Sequence, residues 1–242
     1  MRRLIGDRRE RRRAGAFVVE GPQSVGEALA AGLACDEQFV PADRPQTAVA
    51  GAGPTRLLGP GVFEKVAPTQ QPQPPIVIVR QPAWDISAVL AGASLVLVLD
   101  RIADPGNLGT IIRSAEAAGA DAVVVTAGSV DPSNPKVVRS TAGSLFRLPV
   151  LEAALPDVAA AGLMLWGTTS HDDDAPTAYD RADLSGRVAL VLGTEAHGLP
   201  ADANGAIDRW LTIPHGGSAE SLNVAMAATV LAFEVQRQRR AM

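Results

Sequence analysis

Five short, largely apolar runs constrain this chain more than any other feature: Leu95–Leu99, Ala122–Val125, Leu163–Gly167, Val188–Leu192 and Trp210–Ile213. A strand with one wet face alternates apolar and polar residues. A run without alternation suits a strand covered on both faces, as in a parallel sheet. Between the runs lie Leu108–Ala118 and the stretches 135–144, 151–161 and 221–237, which read as helices. Strand–helix–strand repetition implies an α/β layer fold. With 47% apolar residues in a chain of 242, there is enough material for a sizeable core.

The first 80 residues alternate less cleanly. Ala16–Glu20 reads as a strand and Gly21-Pro22 as a turn. Ser24–Ala31 reads as a helix, Glu37–Val40 as a strand, Gly61–Val66 as a short helix and Ile76–Val79 as a strand after the Pro/Gln-rich stretch Pro68–Pro75. A weak boundary at Gln81–Gly92 divides the chain into residues 1–80, a linker at 81–92, and residues 93–242.

Net charge is −4, which by itself argues against a nucleic-acid binder. Its distribution argues otherwise: Arg2, Arg3, Arg8, Arg9, Arg11, Arg12 and Arg13 face only Asp7 and Glu10 in the first 13 residues. Such a run either neutralises phosphates or is a solvated tail. The single cysteine, Cys35, excludes an intramolecular disulfide and fits a reducing cytoplasm. The charged start has no apolar stretch after it, so no secretory signal is expected. No apolar run reaches the roughly 18 residues of a membrane span. His171-Asp172-Asp173-Asp174 reads as a solvated acidic loop, and no metal is expected.

Ligands of α/β sheets bind at the carboxyl ends of strands. Three segments stand there. In Asp100-Arg101-Ile102-Ala103-Asp104-Pro105-Gly106-Asn107-Leu108-Gly109-Thr110-Ile111-Ile112-Arg113, the turn Asp104-Pro105-Gly106 leads into a helix that Asn107 can cap. Arg113, near the helix start, opposes the helix dipole, and is either an ion-pair partner of Glu116 or an anion-binding or catalytic group. In Gly193-Thr194-Glu195-Ala196-His197-Gly198, two glycines flank a carboxylate that is either a helix cap or functional. In Ile213-Pro214-His215-Gly216-Gly217-Ser218-Ala219-Glu220-Ser221-Leu222-Asn223-Val224, Ser221 suits an N-cap, and Asn223, a mediocre helix former, sits in the first turn.

Together and in this order, the segments resemble the three motifs of the SpoU/TrmH family of RNA methyltransferases: Asn107-x-Gly109-x-x-x-Arg113, Gly193-x-Glu195-x-x-Gly198, and Ile213-Pro214 followed by Ser221-Leu222-Asn223-Val224. Pro135–Ser140 with Gly143 and Leu148-Pro149-Val150 also looks like the family's stretch between motifs. The likeness is close over residues 95–238 and looser over 10–80, where Phe17-Val18-Val19-Glu20-Gly21 carries it. His215 stands where the family usually has Met, and Ala225 where it often has Ser.

The resemblance implies a C-terminal trefoil-knotted SPOUT methyltransferase domain behind a small N-terminal α/β RNA-binding domain. It implies transfer of methyl from S-adenosylmethionine to a ribose 2′-hydroxyl of RNA, with 23S ribosomal RNA the expected substrate and transfer RNA the alternative. It implies a homodimer formed through the C-terminal domain. Arg113 would activate the hydroxyl; Asn107, Glu195, Ser221 and Asn223 would orient it, the ribose or the loops. Gly193, Ile213, Pro214 and Leu222 would hold the cofactor, and Arg8, Arg9, Arg11, Arg12 and Arg139 would grip RNA. With three Trp, one Tyr and five Phe in the chain, base stacking is not expected to dominate. A non-catalytic RNA binder on the same fold would have no need of Arg113, Glu195, Ser221 and Asn223 together. A nucleotide-dependent oxidoreductase would need a glycine fingerprint that the chain lacks.

Overall fold

A computed structural model describes residues 1–170, 175–194, 198–200, 203–217 and 221–241. Contacts divide the chain into two compact units, Met1–Ala83 with Asp131–Arg147, and Trp84–Val130 with Leu148–Met242.

The first unit begins with two helices, α1 (Arg2–Gly6) and α2 (Arg8–Ala14), so the arginine-rich start is structured. Local signals explain α2: the Asp7 side chain accepts from Arg9 N at 2.8 Å, arginines crowd the last turn, and Gly15 ends the helix at φ +57°. Leu4 of α1 is buried in a core with Ala16, Val18, Phe63 and Ile76. Strands β1 (Ala16–Glu20), β2 (Cys35–Pro41), β3 (Thr55–Leu58) and β4 (Ile76–Arg80) form a sheet in the order β1-β4-β2-β3. Helix α3 (Pro22–Ala30) follows β1, and α4 (Val62–Val66) precedes β4.

The segment Asp131–Arg147, distant in sequence, belongs to this unit. It carries α7 (Pro135–Ser140) and a 3-10 turn at Ser144–Phe146, whose Phe146 ring stacks on Phe17 of β1 at 6.1 Å. Hydrophobic patterning cannot reveal such an excursion, because these residues read as any helix of the second half.

The second unit holds α5 (Ile86–Gly92), β5 (Leu95–Leu99), α6 (Pro105–Ala117), β6 (Ala122–Val125), β7 (Val150–Glu152), α8 (Leu155–Ala160), β8 (Met164–Thr168), β9 (Thr177–Ala178), β10 (Val188–Leu192), β11 (Arg209–Thr212) and α9 (Val224–Arg240). The sheet order is β7-β6-β5-β10-β8-β11-β9, and every pairing is parallel. The five apolar runs are its strands, two of them shifted by one residue at each end. Both β5 and β10 are buried along their whole length, as runs without alternation require. Two readings differ from the structure. The stretch 81–92 contains α5, anchored by buried Leu90, and the start of the 151–161 helix is instead β7, which pairs with β6. An edge strand of three residues is too short for alternation to show. No helix among the described residues is long and apolar enough to cross a membrane.

Candidate active site

The chain runs from β5 to β6 on one side and places β10 on the other, so the strand order switches between β5 and β10. A crevice at the carboxyl ends of strands is expected at such a point. The two ends are tied together, with Asp100 N donating to Leu192 O at 2.8 Å. Asp100 is buried; its Oδ1 accepts from the Thr126 hydroxyl at 2.6 Å, and its Oδ2 lies 3.7 Å from Arg101 Nε. Arg101 holds the left-handed conformation, φ +56°, which is unusual for a side chain of this size. The sequence places this corner at the start of the first segment, where Asp100 ends an apolar run, and assigns neither Asp100 nor Arg101 a role.

Helix α6 starts earlier than its apolar stripe suggests. Its N-cap is Asp104, which accepts from Asn107 N at 2.8 Å, with Pro105 at the first position. Asn107 is therefore inside the first turn and is not the cap. Leu108, Gly109, Ile111, Ile112 and Ala115 are buried, while Arg113 is exposed on the other side. Arg113 lies past the middle of this 13-residue helix, beyond the turn where the dipole acts, so the expected dipole penalty does not arise. Nor does it pair with Glu116: among the described residues it has no hydrogen bond or ion pair.

The cap of α9 is Asn223, not Ser221. Its Oδ1 accepts from Ala225 N at 3.0 Å and Met226 N at 3.4 Å. Its Nδ2 donates to Asn107 Oδ1 at 3.1 Å. One carboxamide thus starts a helix with its oxygen and joins the first and third segments with its nitrogen. The Ser114 and Thr229 hydroxyls add a 2.7 Å hydrogen bond between α6 and α9. Ser221 and Leu222 precede the helix and are exposed.

In the second segment Gly193 is buried where the chain folds back on itself. Thr194 and Gly198 exchange backbone hydrogen bonds at 3.0 and 2.8 Å. A Cβ on Gly193 would run into the Gly198 carbonyl group and come within 2.6 Å of Leu199 N. Glycine is thus required by close backbone approach. Glu195 and His197 lie outside the described residues, as do His171–Asp174. After β11, Ile213 is half-buried, and Pro214 and His215 are exposed. Since β5, β10, β8 and β11 are parallel, Asp100, Gly193 and Ile213 all leave the same edge of the sheet.

The arginines expected to grip RNA separate into two kinds. Arg9 and Arg12 of α2 are exposed, and Arg8 is half-buried. Arg11 is 3% exposed and committed internally. Its Nη2 and Nε lie 2.6 and 2.7 Å from Asp131 Oδ2, and its Nη1 donates to the carbonyls of Leu4 and Ile5 at 2.8 and 3.2 Å. It closes the open end of α1 and fastens Asp131 to the first unit, so the expectation that it binds RNA is corrected. Arg139, on α7 of that same unit, is exposed.

Comparison with known proteins matches residues 94–233 to the SpoU rRNA Methylase family and residues 2–76 to the MRM3-like substrate binding domain. Over 95% of this chain and 92% of the relative, the sequence is 36% identical to the 23S rRNA (guanosine(2553)-2'-O)-methyltransferase RlmP of Bacillus subtilis. It is 32% identical to the 23S rRNA (uridine(2479)-2'-O)-methyltransferase of Streptomyces viridochromogenes, covering 98% of this chain and 88% of that protein. Among solved structures, the SpoU methyltransferase AviRb from Streptomyces viridochromogenes, in complex with AdoMet, superposes with a TM-score of 0.86 at 30% identity, over 99% of this chain and 96% of that one.

Proposed function

We propose, from the premise that this chain belongs to the SpoU rRNA Methylase family, that it methylates a ribose 2′-hydroxyl of 23S ribosomal RNA with S-adenosylmethionine as donor. The observation that carries this reading is the Asn223–Asn107 hydrogen bond, which joins two of the three family motifs, with Arg113 of the same helix exposed and without a side-chain hydrogen bond or ion pair among the described residues. The two relatives act on guanosine and uridine by name, so what they share is the ribose and not the base.

The residues present fit the donor. The peptide N–H groups of Ile213 and Leu222 carry no hydrogen bond among the described residues, and the Leu222 side chain is 38% exposed. Free donors beside apolar side chains suit an adenine, whose edge accepts and whose faces are apolar. Gly193, Ile213, Pro214 and Leu222 would hold the adenosine. When bound, S-adenosylmethionine supplies a methyl group on a positively charged sulfur, already activated for transfer. What remains for the protein is to align the hydroxyl and stabilise its developing negative charge. Arg113 does this as a fixed cation beside the alkoxide and the neighbouring phosphate. It does not serve as the base, because a guanidinium has no acceptor and does not give up its proton in proteins. Asn107 and Asn223 keep α6 and α9 in register around it, and Ser221 and Glu195 orient the ribose or the loops.

The same reading includes a trefoil knot and a homodimer. The chain leaves β10 and returns as β11 on the far side of β8, a crossing that supports the threading. Met226, Val230 and Phe233 are exposed along one side of α9, with Leu222 just before it. The spacing makes a continuous apolar stripe, which a second copy would cover through the C-terminal domain. The enzyme would act in the cytoplasm, on RNA held partly by Arg8, Arg9, Arg12 and Arg139.

The test is transfer of labelled methyl from S-adenosylmethionine to total RNA from cells lacking this gene. Label in a ribose of 23S ribosomal RNA is expected. Label confined to transfer RNA would overturn the substrate, and no label in any RNA or ribosomal precursor would overturn the activity.

A further inference from the structure

Where β1 meets α3, the first unit holds a cavity of about 690 Å³ that the chemistry above does not use. Three pieces of chain line it: the start of α3, the Pro/Gln-rich loop 68–73, and Arg139 of α7. Glu20, the last residue of β1, ties the loop down. Its Oε1 accepts from the Thr69 hydroxyl at 2.7 Å and from Gln73 N at 3.0 Å. Gly21 N donates to Pro75 O at 2.9 Å on the far side of the loop. The loop is thus fixed at both ends, while the carboxamides of Gln70, Gln71 and Gln73 remain exposed. A Pro/Gln loop has no packing reason to be held this way, since it adds no buried apolar side chain to the core.

The lining selects a ligand by chemistry. Arg139 is an exposed cation with no hydrogen bond or ion pair among the described residues. The peptide N–H groups of Gln23 and Ser24 are likewise unbonded among the described residues, since α3 has no side-chain cap. These donors suit phosphate oxygens. The carboxamides both donate and accept, which suits the edge of a base. Glu20 Oε2 is buried without a hydrogen-bond partner among the described residues. Among the described residues no aromatic side chain lines the cavity, so hydrogen bonds do the reading that stacking does elsewhere.

We propose that this cavity takes one unpaired nucleotide of the RNA substrate, its phosphate on Arg139 and the N–H groups of Gln23 and Ser24, and its base edge against the carboxamides of the 68–73 loop. The proposal rests on the reading of the protein as an RNA methyltransferase. It assigns a recognition element to residues outside the three motif segments, in a unit completed by α7 from the other half of the sequence.

The test uses the full chain and 23S ribosomal RNA transcribed in vitro, with dissociation constant, KM and kcat read separately. The double substitution Gln70→Ala/Gln71→Ala removes two exposed side chains, so the melting temperature should not move. The dissociation constant and KM for RNA should rise about tenfold, the effect of one to two lost hydrogen bonds, with kcat and cofactor binding unchanged. Arg139→Ala should weaken RNA binding and reduce the slope of log affinity against log salt by about one. If both variants bind the transcript as wild type does, the cavity is not an RNA site. Failure of the methyltransferase reading looks different: wild-type protein would then turn over no RNA, whatever the variants do to binding.

Discussion

Arg11 in α2 and Arg113 in α6 are the same residue type on helices of two different units, and they meet opposite fates. Arg11 is enclosed, its donors taken by Asp131 and by two carbonyls at the end of α1. Arg113 projects from a helix whose other side is packed, with no partner among the described residues. A buried guanidinium must have every donor satisfied or its desolvation goes uncompensated. An exposed one bears no such demand and can hold its charge for a ligand. Burial and saturation, rather than position in an arginine-rich run, decide which arginine is structural and which is available.

The largest effect that would break this comparison is on stability. Arg11→Ala leaves Asp131 buried without its cation and should cost ~3–5 kcal/mol. Denaturant unfolding of the variant reads this directly. A loss below about 1 kcal/mol, as for an exposed pair, would mean that Arg11 is not the structural arginine described here. Arg113→Ala should do the reverse. Methyl transfer should fall by about 10²–10³-fold, as for loss of one group that stabilises developing charge, with unfolding and cofactor affinity near wild type. Single-turnover rates at saturating RNA separate this from weakened binding; near-normal turnover would remove Arg113 from the reaction.

A third arginine sharpens the contrast at the small end. Arg237 is largely exposed, yet its guanidinium lies 2.7 Å from a buried Glu234 on α9. The hydrogen bond from Arg237 holds the Glu234 carboxyl below its usual range, with Gln238 contributing, against the opposing effect of burial. A carboxylate with a depressed folded-state pKa adds stability that is present above its unfolded pKa and is lost as pH falls through the folded one. Glu234→Gln should therefore cost no more than ~1 kcal/mol at neutral pH. The gap in melting temperature between variant and wild type should close on acidification below the ordinary carboxylate range. A gap that persists there would assign the effect to packing.

Much of the fold was legible because burial on both faces leaves no alternation: β1, β5, β6 and β10 have the limits their apolar runs suggest. Helix starts were less legible. Pro105 and the cap Asp104 extend α6 before its first apolar residue, and both Ser221 and Asn223 are suited by residue type to cap α9. Asn223 takes that cap because its nitrogen can also reach Asn107, a contact across 116 positions of sequence that no local pattern encodes.

By itself, the sequence determined the parallel sheet, the three motif segments at strand ends and the family they resemble, since these depend on residue type and spacing along the chain. Only the tertiary structure decided that Arg11 is walled in, that Arg113 lacks the Glu116 pair, and that 131–147 packs with the first unit. The physical reason is that charge availability depends on what surrounds a guanidinium in space. For Arg11 the decisive neighbour, Asp131, lies 120 residues away along the chain.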